Sequence, residues 1–194
     1  MVFEGLDRTG KSTQVDLLRD ALVPDSAVIA HMPTGFVRFT ERVYAALEGE
    51  TAEEKPSSGL AQQLAHLACH AESIGRLTEA VTSKGLVLDR WWWSTLAYGW
   101  YGGSVEQSGL SEASFRELID TIWSPISPSI VFVFLESHQL DSNNTQRVMA
   151  GYRALINQHP DLAVVIPSGT EGEAHDKVVE TLLGRNLVHR SRDW

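Results

Sequence analysis

Two glycines, a lysine and a serine near the start of the chain are spaced to hold phosphate: Gly5-Leu6-Asp7-Arg8-Thr9-Gly10-Lys11-Ser12, followed by Thr13. In a Gly-x-x-x-x-Gly-Lys-Ser loop the glycines allow a tight turn whose backbone N–H groups point inward at anionic oxygens. Lys11 then reaches the β- and γ-phosphates of a nucleoside triphosphate, and the Ser12 hydroxyl is placed to hold Mg²⁺. The flanks agree with this reading. Met1-Val2-Phe3 has the character of a strand, and Ser12 to Leu22 that of a helix with Val15, Leu18 and Leu22 on one face. The competing reading, a Gly-rich turn with an exposed lysine, does not call for that strand–loop–helix order.

The loop alone does not separate a kinase from a GTPase or an ATPase motor. Asp89-Arg90 adds the second constellation, at the end of the apolar run Leu86-Val87-Leu88. A carboxylate there can hold Mg²⁺ through water or orient a nucleophilic oxygen, and a guanidinium can clamp a phosphate by paired hydrogen bonds. Against a surface ion pair stands the buried-strand pattern that feeds the two residues into the crevice where parallel sheets bind ligands.

These groups need a scaffold, and the chain has one. Strand patterns at Ala27 to His31, Leu86 to Arg90, Ser129 to Leu135 and Leu162 to Ile166 join the first strand. Helical patterns run over Phe36 to Leu47, Gly59 to Lys84 (capped by Ser58), Trp91 to Tyr101, Ser111 to Trp123 and Thr145 to about Gln158, and a Thr170/Glu173 capping box opens a last helix. Five strands alternating with helices predict a three-layer α/β fold with a five-stranded parallel sheet. With 194 residues and 43% hydrophobic content, one domain over 1–194 suffices.

Composition narrows the setting. The lone cysteine, Cys69, sits among Leu64, Leu67 and Ala68 and reads as a buried thiol, so no disulfide framework exists. No run is long enough to cross a bilayer and no signal peptide precedes the loop, which predicts a cytoplasmic protein that makes no membrane contact. A net charge of −9 argues against broad charge-driven binding to nucleic acid, while Arg185, Arg190 and Arg192 make a small basic tail that reads as a solvated terminus.

The loop, together with Asp89-Arg90, Ser94, Ala97 and Tyr98, resembles the thymidylate kinase family, whose corresponding segment runs Asp-Arg-Tyr…Ser…Ala-Tyr. The resemblance implies the P-loop nucleoside monophosphate kinase fold, ATP with Mg²⁺ as donor, and a short lid near 137–144. It also implies a thymidine-like nucleotide as partner and a homodimer formed through helices flanking the sheet. It makes Asp7, Arg8, Lys11, Asp89 and Arg90 the catalytic set, with Ser12 and Asp89 at the metal and Arg8 as a charge-stabilising arginine carried inside the loop.

Departures from the family concentrate at the acceptor end. His31 stands where members carry an Arg that holds the acceptor monophosphate. His66 and His70 stand where members use a Phe to stack on thymine and an Arg to read its edge. Neutral histidine does not replace a permanently charged fork, and losing one charge-assisted contact costs about 1.5–3 kcal/mol. Phe36 and Arg38 are candidates for part of the lost contact, Arg90 and Tyr98 for the rest, and the tryptophans at 91–93 and 100 offer flat faces near Arg90. A histidine metal site at His31, His66 and His70 is a minor alternative.

Three functions follow in order. The first is a kinase acting on the hydroxyl of 5-hydroxymethyl-deoxyuridine in DNA, as in phage enzymes of this superfamily that serve DNA hypermodification. The second is a kinase making a nucleoside diphosphate from thymidylate or a related deoxynucleoside monophosphate. The third is a nucleotide-binding switch without acceptor chemistry.

Overall fold

The computed structural model describes residues 1–33, 37–49 and 55–188. Phe36, Arg190 and Arg192 lie outside them. In chain order the elements are β1 (Val2–Gly5), α1 (Lys11–Ala21), β2 (Ala27–His31), α2 (Arg38–Leu47), α3 (Gly59–Ser83) and β3 (Gly85–Asp89). There follow α4 (Trp92–Ser94), a π-helical segment (Thr95–Tyr101), a 3₁₀ turn (Glu106–Ser108), α5 (Glu112–Trp123), β4 (Val131–Phe134), α6 (Gln146–Gln158), β5 (Ala163–Ile166) and α7 (Glu171–Gly184).

The strands form one parallel sheet in the order β2-β3-β1-β4-β5. Because successive side chains point to opposite faces, each apolar strand feeds two cores. Val2, Leu88, Val131 and Val133 pack on one face against Leu67 and Leu77 of α3, Phe115 and Ile119 of α5, and Tyr152 and Leu155 of α6. Phe3, Val87, Phe132, Phe134 and Ile166 pack on the other against Val15 and Leu18 of α1 and Val178 and Leu182 of α7. This is the three-layer arrangement the strand–helix alternation predicts.

Register decides what gathers at the carboxyl edge. His31 of β2 pairs with Asp89 of β3, Asp89 with Phe3 of β1, and Gly5 with Phe134 of β4. The phosphate loop therefore leaves β1 one strand away from Asp89 and two from His31. The Met32–Pro33 peptide bond that follows β2 is cis.

The Ser58 cap and the Thr170/Glu173 box read from sequence are in place, and Ser111 and Thr145, read as the first residues of their helices, are N-caps that each accept a first-turn backbone N–H. Cys69 is buried and burial pushes its thiol up to about 11. Among the described residues no helix is long and apolar enough to cross a membrane.

The segment 91–101 departs from the single helix expected of it. After one turn at Trp92–Ser94 it widens into a π-helix, with the Gly102 N–H bonded to Ala97 O at 2.8 Å. Residue spacing says nothing about an extra residue per turn, and the wider turn allows Trp93, Leu96 and Ala97 all to be fully buried.

Gly5 is needed for close strand approach. Its φ is +132°, and a Cβ there would lie 2.0 Å from the carbonyl oxygen of Phe134, its partner across the sheet. That same oxygen accepts the Leu6 N–H at 2.9 Å, so the strands cannot part without losing the loop's first anchor. Gly5→Ala is expected to cost at least about 3 kcal/mol of stability. Denaturant unfolding measures this, and an unchanged midpoint would show that the strands separate freely.

Candidate active site

Helix α1 differs from its neighbours at its start. Its N-cap is Gly10, left-handed at φ 86°, and no side chain caps the helix, so its first N–H groups are left facing the loop's hollow. Lys11 is buried and donates to Leu6 O, with Thr9 Oγ1 at 3.3 Å. Burial and then the Arg90 charge bring its ammonium down to about 7, against the opposing pull of Asp89, Glu4 and Asp7. A small hollow of about 130 Å³ adjoins the loop, between Thr13, Gln14, Phe134 and the turn Pro167–Thr170.

The segment 137–144 is folded onto the loop. Asn144 brackets Asp7, accepting its N–H at 2.9 Å and donating to its carbonyl at 2.9 Å. Ser137 Oγ donates to Asp7 O at 2.9 Å, and the His138 N–H to Arg8 O at 3.0 Å. Arg8, left-handed at φ 58°, directs its guanidinium to Asp141 at 3.1 Å and Gln139 at 2.9 Å.

Asp89 is the next station. Its Oδ2 accepts the Ser12 hydroxyl at 2.8 Å and lies 3.1 Å from His31 Nδ1, while its Oδ1 is buried without a hydrogen-bond partner. Burial alone would raise this carboxyl. The bond and charge from His31, the Ser12 bond and the Arg90 charge outweigh burial and hold it below its usual range. A hydroxyl beside an ionised carboxylate with an uncommitted oxygen is a hard-oxygen donor set that suits Mg²⁺. Among the described residues no group of three or more His, Cys, Asp or Glu is placed to hold a metal, and His31 is paired with Asp89.

Arg90, at φ 70°, is held from three sides. It pairs with Asp7 and donates to Gly5 O at 3.2 Å and Ser94 Oγ at 2.9 Å, with the Tyr98 ring 5.6 Å from its guanidinium carbon. Behind it lies Glu4, fully buried. Glu4 accepts from the N–H groups of Trp91 (2.7 Å) and Ser94 (3.0 Å), the Ser94 hydroxyl (2.6 Å) and the Tyr152 hydroxyl (3.0 Å). Burial raises its carboxyl, and Arg90 and these bonds act against the rise. Glu4, Tyr152, Asn144 and Gln63 are absent from the residues sequence reasoning selects. Glu4 left one signal, a carboxylate inside the otherwise apolar run Val2-Phe3-Glu4-Gly5.

A cavity of about 880 Å³ opens beside the loop and brings together Asp7, Arg8, Lys11, Ser12, His31, His66, His70, Asp89, Arg90 and Tyr98. Arg38 is not among its lining: it is exposed at the first turn of α2. His70 forms part of the buried floor, and its Nδ1 accepts the Trp123 indole N–H at 3.3 Å. Burial lowers His66 to about 4 and His70 to about 3, so both rings are neutral near pH 7. Of the tryptophans expected to offer flat faces, Trp91 lines the cavity, while Trp93 is fully buried in the core.

The sequence model described as thymidylate kinase matches residues 3–154, which include the loop, Asp89-Arg90 and Tyr152. The chain belongs to the thymidylate kinase family. The thymidylate kinase of Prosthecochloris aestuarii is 26% identical over 95% of this chain and 93% of its own length, and that of Neorickettsia sennetsu 25% over 95% and 94%. Among solved structures, thymidylate kinase from Ehrlichia chaffeensis superposes with a TM-score of 0.75 at 23% identity, covering 94% of this chain and 96% of its own. That from Candida albicans gives 0.67 at 19%, covering 98% and 94%. These two share the fold. The protein is an ATP-dependent phosphotransferase of the thymidylate kinase type, a family that works with ATP and Mg²⁺.

Acid stability reports on the cavity floor. An unfolded chain protonates His70 below its ordinary 6.5, whereas the native chain does so only near 3, so stability falls as pH drops through that interval. At pH 4 this one group costs roughly 3 kcal/mol. His70→Gln is expected to flatten the decline between pH 7 and pH 4 in urea unfolding. An equal decline in variant and parent would assign the acid sensitivity elsewhere.

Proposed function

We propose that this kinase transfers the γ-phosphate of ATP to the hydroxyl of 5-hydroxymethyl-deoxyuridine carried in DNA. One observation carries the reading. Among the described residues, the arginines and lysine that line the large cavity are Arg8, Lys11 and Arg90, two of them in the phosphate loop and the third paired to Asp7, while His31 in the same lining is paired with Asp89. The acceptor half is walled by Gln62, Gln63, Tyr44, Glu48 and two neutral histidines. Such a wall suits an uncharged base and its hydroxyl better than a free dianionic monophosphate, and an extruded base finds π faces at Tyr98 and Trp91.

The roles follow from position. The N–H groups of the loop and of α1, with Lys11, hold the donor phosphates, and Arg8 exchanges Asp141 for the migrating phosphoryl group. Ser12 and Asp89 would hold Mg²⁺, which when bound neutralises charge on the β- and γ-phosphate oxygens. The acceptor oxygen forms its bond to the γ-phosphorus as the bond from that phosphorus to the bridging oxygen breaks and ADP leaves. In this reading Asp7 approaches the acceptor and accepts the hydroxyl proton, and Arg90, its ion-pair partner, steadies the charge. The domain is one unit over 1–194 with 137–144 as its short lid.

The second reading is thymidylate phosphorylation. The named thymidylate kinases match nearly the whole chain, and a net charge of −9 weighs against a DNA acceptor. Radiolabelled ATP offered with hydroxymethyluracil-containing duplex and, separately, free thymidylate decides between them. Transfer to the duplex is expected; label on thymidylate alone would replace the first reading with the second.

Lys11→Ala is expected to abolish transfer with an unchanged circular dichroism spectrum, and wild-type turnover would remove Lys11 from the mechanism. With a free-protein pKa of about 7, Lys11 is mostly neutral at pH 7.5 and must charge against phosphate. ATP binding should then take up roughly half a proton or more, measured by calorimetry in buffers of different ionisation enthalpy. Proton-neutral binding would show that Lys11 is already charged.

A further inference from the structure

Gln63, in the middle of α3, is 6% exposed, lines the large cavity, and among the described residues its side chain has no hydrogen-bond partner. Its amide atoms are not among the buried polar atoms that lack a partner, so they face the cavity, where a ligand that displaces water has to replace the hydrogen bonds water makes. The fold makes room for it. A Cβ at Gly99 of the π-helical segment would stand 2.8 Å from Gln63 Cδ and 2.9 Å from its Oε1, so the glycine leaves the slot that the amide occupies.

Several polar groups lining the same cavity are committed to protein partners. The Tyr98 hydroxyl donates to Asn144 Oδ1 at 3.2 Å, His70 Nδ1 accepts from Trp123, and Ser94 serves Glu4 and Arg90. Gln63, by contrast, is an amide on a buried residue whose donors and acceptor meet the cavity and no described protein partner.

We propose that Gln63 is the specificity-determining residue for the acceptor base, its amide spanning the adjacent O4 and N3–H of a uracil-type ring. The Nε2–H donates to O4 and Oε1 accepts from N3–H. The inference rests on the thymine-type acceptor proposed above and adds which edge of the base is read and by which side chain. A site built this way penalises a ring that cannot complete the pair, because the amide is then buried unsatisfied.

The test is a cycle on the full chain with thymidine and N3-methylthymidine, read by quenching of tryptophan fluorescence, with ATP affinity as the folding control. In the parent protein the N3-methyl group is expected to weaken binding at least about tenfold. In Gln63→Leu thymidine weakens to the level of the methylated ring and the difference between them vanishes. Gly99→Ala, which crowds the far end of a flexible side chain, is expected to shrink the difference in the same direction. A methyl penalty that persists unchanged in Gln63→Leu overturns the assignment, as does absence of thymidine binding by the parent. A Gln63-dependent penalty without phosphoryl transfer to either acceptor would instead uphold Gln63 and overturn the proposed reaction.

Discussion

The buried carboxylate of Glu4 is the constraint on which the catalytic edge depends. A carboxyl group at this depth is tolerated only if it is hydrogen-bonded, and here five donors do so beside the charge of Arg90. Those donors are the backbone at Gly5, Trp91 and Ser94, the Ser94 side chain, and Tyr152 of α6. Satisfying one side chain therefore fixes where the chain turns after β3, how α4 begins, and how α6 lies against the sheet. Arg90 is aimed by the same set, since Ser94 Oγ bonds both it and Glu4. Its left-handed backbone is a local cost that the surrounding bonds outweigh.

A second regularity is that the site's cations rest on protein acceptors. Lys11 lies on Leu6 O, Arg8 on Asp141 and Gln139, and Arg90 on Asp7. A phosphate ligand competes with these bonds, so the affinity gained is the difference between two charge-assisted contacts. The exchange differs by depth. Arg8 is 57% exposed and its ion pair is worth little, so it swings to a new partner at small cost. Arg90 is enclosed and is a fixed charge whose geometry is set before a nucleotide arrives, whereas the buried Lys11, brought down to about 7, is held in position but gains its full charge only against phosphate.

Legibility in the sequence divides along the same line. The donor end and the sheet could be read because their determinants are local: a glycine pattern, apolar strands of four or five residues, and capping residues that sit beside the helices they cap. The π-helical widening at Thr95–Tyr101 could not, because one residue more per turn leaves no mark in an apolar, aromatic segment. Glu4 could be seen as an oddity, whereas Tyr152 and Asn144 reach it and Asp7 across 148 and 137 positions of sequence. Arg38 shows the converse: proximity in sequence to the loop after β2 does not bring a side chain into the cavity when the helix begins with it on the outer side.

The acceptor end illustrates how burial rewrites a residue's chemistry. From type alone His66 and His70 are groups that titrate near neutrality and offer charge to an anion. Packed along α3 above Trp123, they lose that charge, and His70 gives one ring nitrogen to the indole. Among the described residues the cavity consequently has Arg8 and Lys11 at its loop end and, along α3, two neutral histidines and two glutamines. A ligand that places its phosphates on the loop and an uncharged ring against α3 meets each end with matching chemistry. Among the described residues, the arginine that a second dianion at the α3 end would meet is Arg90, which would first have to be taken from Asp7. That asymmetry comes from burial and from pairings made across the whole chain, which is why single-residue substitution patterns hint at it and only the assembled cavity expresses it.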